Sequence, residues 1–335
     1  MTITAASFPT PDVVKTTNNP AIWDQQARFA TLQAAGANEA LQQLSSRLDR
    51  VSSELERQMV FIQTYRDLAE WRFRLAGRAE GRRPGALPEQ YRAPIGIGRV
   101  RDAFGRGDDQ GSAQPRGSAV GQGDGPEPGS PASRLGLRLG ELAEARFEAE
   151  APDRDVLQNQ VRLPSGETID GNRLLRGTAL AEELGRDQPV DGLYCAVTGE
   201  LQDRRALQRE AFATFAELET ARASGRTDLL DDVDARRAFV DAEYFLYQGP
   251  EYQRGSDATI RSLVAVAHTR IFGAAPQLPQ DIDLMAYVAG QEAFHSHVNR
   301  TQAVLSPTTG SSPRPGLSQQ PSARRHHRSA GQERG

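Results

Sequence analysis

The chain has 335 residues, of which 38% are hydrophobic and 6% aromatic, and its mean hydropathy is -0.58. That length holds one large domain or two ordinary ones, and the lean composition predicts that part of it lies outside a packed core. A formal charge of -4 argues against a general nucleic-acid binder, and a single cysteine excludes an intramolecular disulfide.

Residues 1–24 are rich in Thr, Ser, Pro, Ala and Asn without periodicity, which predicts a disordered start. Their composition is compatible with a type III secretion signal. They lack the basic and apolar blocks of a Sec signal, and Thr2 after Met1 leaves no glycine for N-myristoylation. No apolar run reaches the roughly 18 residues of a membrane span.

From Trp23 to Arg78 the pattern is helical. Leu41, Leu44, Leu48, Val51, Leu55 and Ile62 fall on a/d-like positions over about three heptads, short for a coiled coil. An amphipathic helix folded onto its own domain is the preferred reading. Gly36 and Asn38 are expected to break the stretch, and Arg66–Leu75 to form an arginine- and aromatic-rich helix. The helical region is bounded at 25–100.

Residues 101–133 are a low-complexity run of Gly, Ser, Gln, Pro and Asp, predicted to be a flexible linker. Arg106-Gly107-Asp108 within it is a chance match to an integrin motif. Gly96-Ile97-Gly98 lacks the third glycine of a dinucleotide loop.

Order is predicted again over 134–300. Leu135–Glu150 forms a helix, and Val156–Leu163, a turn at Pro164–Glu167 and Thr168-Ile169 form a hairpin. Leu174–Leu184 is expected to be helical, and Leu193–Val197 a buried strand that packs Cys195 as a small inert thiol. Arg204–Arg222 is a helix with Leu207, Phe212, Phe215 and Leu218 inward. Asp232–Tyr247 is another, with Phe239, Tyr244 and Phe245 inward. Ser256 or Asp257 is expected to cap the helix ended by Gly273, and one last helix spans Asp281–Phe294. Residues 301–335, with His326 and His327, read as a disordered basic tail.

No CxxC, HExxH, GxxxxGK[ST] or GxSxG pattern is present, and no metal site is expected. His268, His295 and His297 are taken as structural, the last two at a helix C-terminus. What remains is arginine with carboxylates. Arg254 and Gly255 precede a helix start, where free N–H groups and partial positive charge suit an anion and a guanidinium can hold a phosphate. Asp281 and Asp283 follow on the next helix, where they serve equally as caps.

Gln253-Arg254-Gly255-Ser256, the helix after it, Asp283-Leu284, Gly290-Gln291-Glu292-Ala293-Phe294 and, upstream, Ala69-Glu70-Trp71-Arg72-Phe73 resemble the AvrB family of plant-pathogen type III effectors. The resemblance implies an α+β, mostly helical, two-lobed Fido/AvrB-like fold with disordered termini and a flexible internal linker. It implies nucleotide or UDP-sugar binding between the lobes, with glycosyl transfer to a host immune-regulator protein after type III secretion into the host cell. Arg254 and Asp283 take the catalytic positions, and Arg254, Gly255, Ser256 and Ser130 the nucleotide-binding ones. The HPFxxGNGR signature of Fic enzymes is not intact, and the family's cleft histidine has no counterpart near Asp203–Arg205. A non-enzymatic effector that binds a host regulator, and a Fic-type nucleotidyl transferase, stand as alternatives.

Overall fold

The computed structural model describes residues 2–8, 20–78, 86–96, 100–105 and 131–305. Among them the protein is mostly helical with two small sheets.

The first two helices form an antiparallel pair, α1 (Pro20–Leu48) and α2 (Glu54–Ala76). The break falls at 49–53, not at Gly36. Ser53 starts α2 through a capping box: its Oγ accepts from Glu56 N–H at 3.2 Å, and its own N–H donates to Glu56 Oε2 at 3.0 Å. Gly36 stays helical because it is a contact point. A Cβ there would lie 2.6 Å from Trp71 Cε2, so only glycine lets the two helices close over the indole. The heptad positions divide accordingly. Leu44 and Leu48 are buried, whereas Leu55 beyond the break is 68% exposed.

The N-terminal segment departs from expectation at residues 2–8. Ile3 and Phe8 are buried, and Asn38 clasps Ile3 by accepting from its N–H at 2.9 Å and donating to its carbonyl at 2.7 Å. Two apolar side chains and a paired backbone are enough to seat a segment whose overall composition is polar. The region assigned to a linker is also trimmed at both ends. Residues 100–105 form β1 (Val100–Gly105), and α3 (Pro131–Glu150) begins before 134. Residues 106–130, including Ser130 and Arg106–Asp108, lie outside the described residues, as does the tail from 306.

The hairpin is where the alternation put it: β2 (Val156–Arg162) and β3 (Thr168–Arg176). β3 runs through Leu174 and Leu175, so α4 (Gly177–Glu183) is shorter than predicted. β4 (Val190–Val197) completes an antiparallel sheet in the order β1-β4-β3-β2. Its period of two sends Leu193, Cys195 and Val197 to the α4 side and Tyr194 and Ala196 to the main core. Cys195 is fully buried.

The rest of the core is helical. α5 (Leu201–Ala223) runs antiparallel to α2, with Phe61 on Phe215 at 5.6 Å and Tyr65 on Phe212 at 5.7 Å. α6 (Val233–Gln248) is capped by Asp232, whose carboxylate accepts from Asp234 N–H and Ala235 N–H. α7 (Ser256–Phe272) is buried on nearly every face, which accounts for its alanine- and β-branched-rich sequence. β5 (Ala275–Gln277) follows. The expected last helix is two, α8 (Ile282–Val288) and α9 (Gln291–Thr301), after which β6 (Ala303–Leu305) pairs with β5. The break has a cause: Ala289 is extended, and the carbonyls freed there are held by Arg146 Nη1 on Val288 O at 2.7 Å and Tyr244 Oη on Ala289 O at 3.2 Å.

A single apolar cluster runs from Ile3 to Val298, so the N-terminal helices and the 134–300 region share one core. None of the described helices is long and apolar enough to cross a membrane.

Candidate functional site

The loop between α6 and α7 is held from two sides. Residues 90–95 run along it: Pro94 bridges Tyr252, Ile95 N–H donates to Glu251 O at 2.8 Å, Gln253 N–H to Ala93 O at 3.0 Å and Arg254 N–H to Gln90 O at 3.0 Å. From α5, buried Arg204 donates to Pro250 O at 2.9 Å and to Ile95 O at 3.1 Å. The backbone presenting Arg254 is thus fixed before any ligand arrives.

At the start of α7, Gly255 has φ of 77°, a left-handed conformation that suits glycine. A Cβ there would lie 2.8 Å from Tyr91 Cδ1 and 3.0 Å from Arg72 Cγ. The Glu70-Trp71-Arg72 helix and the Gln253–Ser256 segment, far apart in sequence, therefore meet at this glycine. Arg72 is almost fully buried, its guanidinium 4.3 Å from the Tyr91 ring centroid and 5.1 Å from that of Phe29. Burial pulls it below the usual arginine value, with Tyr91 opposing. Gly255→Ala is expected to destabilise the protein by about 1–3 kcal/mol, from backbone strain and displacement of Tyr91. A urea unfolding midpoint equal to that of wild type would refute the close approach.

Arg254 is half-buried, and its Nε donates to Gln90 Oε1 at 3.3 Å. Gly255, not Ser256 or Asp257, is the N-cap residue. Ser256 is turned back: its Oγ donates to Tyr252 O at 2.9 Å and accepts from Tyr252 N–H at 3.2 Å. Asp257 accepts from Arg261 Nε at 2.7 Å and from Tyr247 Oη at 3.4 Å.

Asp283 is 7% exposed and accepts from Arg261 Nη2 at 3.0 Å. The arginine beside it is therefore Arg261, in the second turn of α7. Arg261 is 1% exposed and also donates to Pro279 O at 2.7 Å and Gln280 O at 2.8 Å. Burial pulls its guanidinium down, but Asp257, Tyr247 and Asp283 outweigh that and hold it above its ordinary value. The spacing of Asp257 and Arg261, four apart on a helix, was the sequence signal for this pair.

The histidines of α9 make carboxylate pairs in place of the expected helix-terminus contacts. His295 Nε2 lies 2.7 Å from Asp241 Oδ1, and Gln291 donates to the same oxygen. His297 Nε2 lies 2.9 Å from Asp281 Oδ1, while Arg138 donates to Oδ2 at 2.5 Å. Burial raises the Asp281 carboxyl, but His297 and Arg138 prevail and leave it below its usual range. His268 is pushed down to about 4 by burial against its bond to Ala274 O, so it is neutral and structural. Among the described residues no group of three His, Cys, Asp or Glu side chains is placed to hold a metal ion.

A cleft of about 270 Å³ opens between α1 and α2, on the other side of the Glu70-Trp71-Arg72 helix. Gly36, Ala40, Leu68 and Trp71 line it together with Glu39 and Arg74.

No protein-family model matches the chain, and no curated protein matches it.

Proposed function

We propose that the protein is an AvrB-like type III effector, secreted into a host cell, where it suppresses immunity. It binds a nucleotide or nucleotide sugar and transfers a group from it to a host immune-regulatory protein. The observation that supports this reading is the meeting of the two resemblance segments at Gly255, where Arg72 and Tyr91 back the start of α7. Arg254 holds a phosphate of the donor, on a backbone already fixed by Gln90 and Ala93. Gly255 lets the chain pass close, with no side chain at the helix entry. Asp283, ion-paired with Arg261, is the carboxylate offered to the acceptor hydroxyl.

Calorimetry with UDP-sugars and plain nucleotides tests the clamp. Wild type is expected to bind, and Arg254→Ala to bind roughly tenfold to a hundredfold more weakly, the worth of one hydrogen bond to a charged group. Absence of binding, or equal affinity in the variant, would sink the reading.

A second reading, a non-enzymatic effector that binds a host regulator, is favoured by one observation. The Asp283 carboxylate is buried against Arg261, and the Ser256 hydroxyl is spent on Tyr252. Under it, a co-purified host partner keeps its intact mass, and its capture survives Arg254→Ala and Asp283→Asn.

A further inference from the structure

The cleft between α1 and α2 takes no part in the site around Arg254, and its charged lining divides into paired and unpaired groups. At one end Arg47 and Asp67 pair at 2.7 Å, and Gln63 donates to the second Asp67 oxygen at 2.8 Å. Glu70 pairs with Arg92, whose guanidinium lies 4.4 Å from the Phe73 ring centroid. Arg92 thereby takes the carboxylate one turn before Arg74, the partner that helix spacing would give it. Among the described residues the Arg74 guanidinium has no ion pair and no hydrogen bond, and the side chain is exposed. Trp71, three residues before it on the same face, is half-buried, and its indole N–H also has no partner among the described residues.

On the facing helix Glu39 is exposed and accepts, among the described residues, only from the Gln43 amide at 3.3 Å. A carboxylate has about four acceptor sites, so most of its capacity is open. The surface between these groups is apolar. Gly36, Ala40 and Leu68 are buried beneath the cleft, and the Trp71 ring closes on Gly36. Two donors on α2 and one acid on α1 thus flank an apolar strip. A simple anion would meet Glu39, and a simple cation Arg74, each a like charge. A ligand with a carboxylate, an ammonium and an apolar body satisfies every group. The volume of about 270 Å³ lies just below the roughly 300–1,000 Å³ of pockets for drug-sized molecules, so it suits one small molecule.

We propose that this cleft binds a free α-amino acid with an aromatic side chain. Its carboxylate accepts from the Arg74 guanidinium and the Trp71 indole N–H, and its ammonium donates to Glu39. Its ring lies over Ala40 and Leu68 against the Trp71 indole. A residue inside a peptide has lost both α-charges, so the cleft selects the free amino acid.

Calorimetry of the full chain with L-phenylalanine tests the site. Trp71 is one of two tryptophans, so Trp23→Phe also leaves its fluorescence as a local readout. Wild type is expected to bind with a Kd between about 10 μM and about 1 mM, and to change Trp71 fluorescence over the same range. N-acetyl-L-phenylalanine, without the ammonium, and L-phenylalaninamide, without the carboxylate, should each bind at least about tenfold more weakly. Arg74→Gln and Glu39→Gln, both at exposed positions that leave the fold intact, should each weaken L-phenylalanine by about tenfold. No saturable signal in wild type up to about 10 mM overturns the proposal. So does equal binding of either capped compound, or unchanged affinity in both variants. Weakening by Arg254→Ala instead would place the ligand in the other site and overturn the assignment to this cleft.

Discussion

Arg261→Met is expected to lower unfolding stability by about 3–5 kcal/mol, the usual cost of removing one partner from a buried ion pair. Methionine fills the volume of the stem, so the loss isolates the guanidinium. Four acceptors lose their donor together: Asp257, Asp283, and the carbonyls of Pro279 and Gln280. Asp257 retains some access to water and Asp283 little, so the orphaned charge on Asp283 dominates the deficit.

That asymmetry gives a sharper test than the single variant. Asp283→Asn alone removes a favourable contact with Arg261 and should destabilise. In the Arg261→Met background the same change removes an uncompensated buried charge and should stabilise. Urea midpoints of the four proteins give the coupling directly. Equal effects in both backgrounds would mean that the Asp283 carboxylate reaches water without its arginine.

Helix and strand positions were legible where one period persisted. The β2–β3 hairpin, α5 and α6 lie where alternation and Leu207, Phe215, Phe239 and Phe245 placed them. Boundaries failed where a distant residue decided the matter. Gly36 costs about 1 kcal/mol in a helix by propensity, but its packing on Trp71, 35 residues away, keeps α1 continuous. Residues 101–105 lack alternation and looked like linker, yet they form most of β1, whose ladder comes from β4. In the candidate site, the helix start after Gly255 was readable, whereas the close approach of Gly255 to Arg72 was not. The pairing of Asp283 with Arg261 was not legible, because the two are 22 residues apart and only the packing of α8 on α7 brings them together.

Arg146→Leu is expected to cost about 2–4 kcal/mol, and comparison with Glu150→Gln locates the loss. Arg146 grips Glu150 with Nε and Nη2, both at 2.8 Å, and reaches inward with Nη1 to Asn159 Oδ1 and Val288 O, both at 2.7 Å. Glu150 is half exposed, so that pair is worth at most about 1 kcal/mol. The inward contacts are different in kind. Asn159 is 1% exposed, and Val288 O belongs to the break between α8 and α9, so each loses its donor with little water to replace it, at about 1–3 kcal/mol apiece. Glu150→Gln should therefore cost less than about 1 kcal/mol. The pH dependence separates the two parts. The Arg146 hydrogen bond holds the Glu150 carboxyl below its usual value, so its contribution is present above the unfolded carboxylate range and is lost as pH falls through the folded value. Lowering the pH should remove only the small Glu150 share of the difference between wild type and Arg146→Leu, and leave the larger inward share intact. A deficit that vanished in acid would place the stabilising role of Arg146 at the surface and remove it from the brace between α3, β2 and the corner that starts α9.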